Sequence, residues 1–123
     1  MPILTIINAI AREEFQRVVI NRMARAQTTA LVFPTTQVPA PSRAELDAEK
    51  WPLLDFATNT LLAAQTCMPA MSVPAGFTPG GLPVGLELVG LPYHEADLLS
   101  LAFAFEQATL HRTPSVQTPE LLG

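Results

Sequence analysis

The run Cys67-Met68-Pro69-Ala70-Met71-Ser72-Val73-Pro74-Ala75-Gly76-Phe77, followed by Gly81-Leu82-Pro83-Val84-Gly85-Leu86-Glu87-Leu88-Val89-Gly90, decides how this chain folds. Met68–Val73 is apolar enough for a buried strand. Val84–Val89 reads as another, and Glu87 alone breaks its apolar character, which predicts a place near a strand end or on an exposed face. Pro74, Gly76 and the Pro79-Gly80-Gly81 turn separate the two. That link is long for a tight hairpin, so the run leaves open whether the strands are adjacent.

Working outward, Ala30-Leu31-Val32-Phe33, closed by Pro34, forms a third short strand. Residues Ala9–Ala26 read as a helix with Ile10, Phe15, Val18, Val19 and Met23 close to one face and Asn8 placed to cap it. The preceding Ile3–Ile7 fits either a strand or an extension of that helix. Residues 34–52 form a Pro-rich loop, interrupted at Pro34, Pro39, Pro41 and Pro52, in which Ser42 and Glu45 have the spacing of a capping box. Residues Leu53–Thr66 read as a second helix with Pro52 at its entry. The last helix carries Glu95 and Asp97 in its first turn and His111 and Arg112 just past its end, as the helix dipole favours. Its stripe of Leu98, Leu101, Ala102 and Phe105 is widened by Leu99 and Phe103, so more than one neighbour is needed to cover it. Residues 113–123 read as an extended tail.

These elements define an α/β fold: a partial mixed β-sheet of about three strands, flanked by helices. Residues 1–123 are read as a single domain. Strands apolar on both faces normally belong to larger sheets, which predicts pairing with another copy, another chain or a larger body. The chain has 123 residues, 49% hydrophobic and 15% charged, with a net charge of −4. It can bury a core. Lys50 is the only lysine, and no basic run exists to neutralise phosphates, which argues against nucleic acid. No apolar run reaches the roughly 20 residues of a membrane span, and the N-terminal segment lacks the pattern of a signal peptide. A soluble, cytoplasmic protein is expected. One cysteine, Cys67, excludes an internal disulfide and a cysteine-based zinc site. It reads as a small buried residue where a helix meets a strand. His94 and His111 are 17 apart with no ligand pair nearby, so they read as surface or helix-end residues. No metal and no cofactor are expected.

The quoted run, with Glu95-Ala96 through Phe103-Ala104-Phe105-Glu106, resembles the C-terminal end of amidase signature family enzymes. That family typically shows a P-A-x-S-V-P-x-G strand, a G-L-P-V-G-x-Q-x-x-G strand and a closing helix ending near A-x-x-F-E. Leu31-Val32-Phe33-Pro34-Thr35 is similar to its D-x-L-V-x-P-T strand and loop. The likeness covers most of the chain, from the first helix onward. It implies a large mixed sheet flanked by helices and hydrolysis of amide C–N bonds by a serine nucleophile, a second serine in a cis peptide and a lysine base. Those residues belong to a Gly/Ser-rich core upstream of the matched region.

Ser42, Ser72, Ser100 and Ser115 stand in no Gly/Ser-rich segment, and Lys50 lies in a charged loop. No catalytic residue is therefore assigned. Where the family commonly has Asn and Gly before the strand proline, this chain has Ala64 and Cys67. The helix before Met68 corresponds to a region that helps line the family's substrate pocket. Asp55 and Asn59, and Phe56 and Thr60, are four apart and share one helix side, which makes these four the candidate substrate-binding residues. The sequence thus predicts an amidase-like segment, inactive alone, that self-associates or joins an N-terminal amidase chain. A non-catalytic homo-oligomeric module is the alternative. A small-molecule binder that retains a pocket wall ranks third.

Overall fold

A computed structural model describes residues 3–50 and 58–114. The element order is α1 (Ile3–Ala26), β1 (Ala30–Pro34), α2 (Arg43–Asp47), α3 (Leu61–Thr66), β2 (Ala70–Phe77), β3 (Pro83–Gly90) and α4 (Glu95–Thr109). The three strands form one sheet in the order β1-β3-β2, with β3 antiparallel to both neighbours. β2 and β3 are adjacent after all. Both run longer than the apolar cores suggested, so the link shrinks to residues 78–82. Thr78 closes it by donating its amide to the Leu82 carbonyl at 2.8 Å and accepting the Leu82 amide on Oγ1 at 3.1 Å.

Because side chains alternate along a strand, β3 serves two cores. Val89, fully buried, packs with Val19 and Met23 of α1, Ala63 of α3 and Met68. Leu88 points the other way and packs with Val73 of β2 and with Leu98 and Ala102 of α4. Gly90 permits that second contact: a Cβ there would lie 2.8 Å from Leu98 Cγ. The helices therefore sandwich the sheet.

Helix ends follow local chemistry. α1 begins at Ile3, which makes the ambiguous apolar run helical. It stops at Gln27, whose backbone is left-handed (φ 52°). The Gln27 amide bonds to Ala24 O and the Thr28 amide to Met23 O, the paired bonds of a Schellman ending. α2 has the expected capping box between Ser42 and Glu45. α4 begins behind His94, whose Nδ1 lies 2.7 Å from Asp97 Oδ2, and ends on a left-handed Leu110.

Four expectations are corrected. The apolar face of α1 is narrower than its pattern suggested: Val19 and Met23 are buried, whereas Ile10 and Val18 are more than half exposed. Val19 and Met23, one helical turn apart, face the core, with Ile20 partly buried beside them. The second helix begins at Leu61. Residues 58–60 form a turn, with the Leu61 and Leu62 amides bonded to the Thr58 and Asn59 carbonyls. Thr58, Asn59 and Thr60 are weak helix formers whose side chains compete for the backbone. Residues 53–57 of that expected helix lie outside the described residues, as do 115–123 of the expected tail. Cys67 is exposed, because it ends α3 in a left-handed conformation (φ 52°) that turns the chain outward. Glu87 is 5% exposed, not near a strand end or on an open face, because the central strand has a neighbour on each side and helices over each face.

Met23 is 1% exposed and sits beneath Val89. Met23→Ala is expected to lower stability by about 2–5 kcal/mol, read as a fall in the urea midpoint with an unchanged slope.

Candidate functional site

At one end of the sheet, the chain leaving β1 is tied down by polar bonds. The Thr35 amide donates to Gly85 O at 3.0 Å, extending the β1–β3 ladder by one step. Thr35 Oγ1 lies 3.2 Å from Ser72 Oγ, so the hydroxyls bridge the two outer strands across β3. Gly85 makes this bridge possible, since a Cβ there would sit 2.8 Å from Thr35 Oγ1. Asn59 Nδ2 donates to Pro34 O at 2.8 Å, and Gln37 Nε2 bonds to Thr58 Oγ1. The turn before α3 is thereby fastened to the loop after β1.

Beside this tie, a groove of about 480 Å³ opens between α1, β1 and α3, with Phe15, Phe33, Asn59, Leu62 and Gln65 among its walls. An apolar floor with a few amide groups at its rim suits a neutral, partly apolar ligand. Of the four candidate binding residues, Asn59 lies on this groove, with its amide nitrogen engaged by the backbone. Thr60 occupies the N-cap position of α3. Asp55 and Phe56 lie outside the described residues. Phe15, Phe33 and Gln65 carry no functional signal in the sequence, because they come from separate elements that meet only in the fold. Gln16, next to Phe15, donates to Thr66 O at 2.7 Å and locks α1 to α3 along the same side.

The described serines are occupied structurally. Ser42 caps α2, Ser72 meets Thr35, and Ser100 Oγ donates to Ala96 O within α4. Lys50 bonds to Glu45 at 2.7 Å. That bond, with those from Ser42, holds the Glu45 carboxyl down to about 2. Among the described residues no group of three or more His, Cys, Asp and Glu side chains is placed to hold a metal ion, and no helix is long and apolar enough to cross a membrane.

Glu87 sits opposite Phe33 on one side and Ser72 on the other, and no side-chain hydrogen bond or ion pair engages its carboxyl among the described residues. Burial raises its pKa above the ordinary 4.5.

A family model described as Amidase matches residues 6–99. The chain belongs to the amidase family. It is 38% identical over 101 residues to a glutamyl-tRNA(Gln) amidotransferase subunit from Myxococcus xanthus, covering 82% of this chain and 20% of that protein. The corresponding subunit of Ralstonia pickettii is 35% identical over 111 residues, covering 89% and 22%. Among solved structures, the native peptide amidase from Stenotrophomonas maltophilia superposes with a TM-score of 0.63 and 33% identity, over 89% of this chain and 22% of that one. An amidase family protein from Bacillus anthracis shares the fold at a TM-score of 0.64, covering 87% and 17%. The chain thus spans about a fifth of the length of these relatives.

The Glu87 environment gives a signed pH dependence. Below pH 4.5 the carboxyl is neutral in both folded and unfolded chains, and burial carries no charge penalty. As pH rises through 4.5 the unfolded chain ionises first, so the folded state loses stability until its own raised pKa is passed. Glu87→Gln is expected to gain stability over the parent at pH 7, with the gain shrinking toward pH 4, in paired urea denaturations. A difference that does not change with pH contradicts the assignment.

Proposed function

We propose that this chain is the C-terminal segment of an amidase-type hydrolase, that it hydrolyses no amide alone, and that it works with a chain carrying the catalytic core. The observation that carries this reading is the match along residues 6–99 to a family whose members here are about five times longer. The serine positions support it. An activated nucleophile needs its base in hydrogen-bond reach, whereas Ser42, Ser72 and Ser100 are committed to a cap, a strand bridge and a helix carbonyl. In this reading the chain supplies sheet scaffold and one wall of the amide pocket, formed by Asn59 and Thr60 with Asp55 and Phe56 from the preceding segment. The relatives are named as subunits of an amidotransferase, which fits a working assembly of several chains. A cytoplasmic location goes with this reading.

A second reading has its own support. One flank of α4 exposes Leu99 and Phe103, four apart, and Tyr93 just before the helix is 95% exposed. Such an apolar surface suits self-association into a non-catalytic homo-oligomer.

Light scattering of the purified chain, alone and mixed with an N-terminal amidase chain, separates the two readings. A defined heteromer that gains amide hydrolysis, lost again when the N-terminal chain's nucleophilic serine is replaced, is the expected result. A stable self-dimer that ignores the added chain and shows no hydrolysis overturns the first reading in favour of the second.

A further inference from the structure

A larger groove, of about 770 Å³, lies at the opposite sheet face, between the far end of the β2–β3 hairpin and the segment after α4. Its construction is specific. The β2–β3 register shifts between Pro74 and Gly76, leaving Ala75 as the bulged residue. Gly76 takes φ 120°, a conformation in which a side chain is strained, and a Cβ there would sit 3.9 Å from His111 Nδ1. The bulge therefore brings the backbone up to the imidazole. On its other side, the His111 ring meets Phe105 at a centroid distance of 6.4 Å, tilted by 53°. Phe105 in turn packs on the α4 core. The left-handed Leu110 sets the direction in which residues 111–114 leave the helix and wall the groove.

The lining is of two kinds. Val73, Pro74, Phe77 and Val84 give an apolar trough, and Ser72, His111, Arg112 and Thr113 supply its polar groups. Among the described residues no acidic side chain lines it, although the chain as a whole carries a net charge of −4. Glu87, the nearest buried carboxyl in the strand register, points to the other face, with Val89. Arg112 makes no ion pair or hydrogen bond among the described residues. A guanidinium presents a planar fork of donors that matches a carboxylate with two parallel bonds. A trough of this size holds a small molecule, and its mostly apolar walls call for an apolar body.

We propose that this groove binds a small carboxylate with an apolar body, the carboxylate taken by Arg112 beside His111 and the body laid along Val73, Phe77 and Val84. The inference does not depend on the chain joining a catalytic partner. The test is calorimetric titration of the full chain with 4-phenylbutyrate and with 4-phenylbutanamide, which share a body and differ in charge. The acid is expected to bind saturably, and the amide roughly tenfold more weakly, the size of one lost charge-assisted contact. Acetate, lacking the body, is expected to bind more weakly still. Arg112→Gln, at an exposed position beyond the helix, is expected to abolish the preference for the acid while leaving the circular dichroism spectrum unchanged. Equal binding of acid and amide by the unmodified chain overturns the proposal, as does the absence of saturable binding or retention of the acid preference in Arg112→Gln. The comparison of the two ligands requires no variant to fold.

Discussion

Everything in this structure hangs on β3 being hydrogen-bonded along both edges and covered on both faces. Its two neighbours satisfy its backbone donors and acceptors, so its side chains are free to be almost wholly apolar. Val89 and Leu88 then anchor separate cores, one under α1 and α3 and the other under α4. Remove this strand and neither core has a floor. The same arrangement largely buries Glu87, the one ionisable side chain on the strand, and burial disfavours its charged form.

The two grooves follow from the same geometry. On the α1 side the sheet end is closed by hydroxyl and amide bonds among Thr35, Ser72 and Asn59, and the remaining space is shallow and apolar. On the α4 side the bulge at Pro74–Gly76 opens the hairpin, and the segment beyond the helix rims the opening with cationic and imidazole groups. The groove on one face thus offers apolar and amide groups, and that on the other adds a guanidinium and an imidazole.

Much of the fold was legible because it was encoded locally. The apolar runs of the three strands, the Ser42–Glu45 box and the acidic first turn of α4 each identify their elements without reference to distant residues. What was not legible depended on pairing. Nothing near Glu87 in sequence says that its strand is central, so its burial could not be read from Leu86 and Leu88. Val18 and Val19 are equally apolar, and only the position of the sheet decides which is covered. Helical spacing singles out Asn59, yet this residue reaches the groove from a turn, through a bond to Pro34 that links residues 25 apart. The groove around it is likewise assembled from three elements that share no motif.

The two outer strands are not equivalent at their free edges. β2 carries Pro74, which has no amide proton, and a bulge directly after it, so a strand approaching from that side would meet an interrupted row of partners. Ala30–Phe33 of β1 has no such interruption, and Pro34 comes only at its end. Among the described residues, β1 keeps its amides from Ala30 to Phe33 while its Pro34 carbonyl is already taken by Asn59, and the proline and bulge of β2 interrupt the opposite edge and so guard it against strand addition.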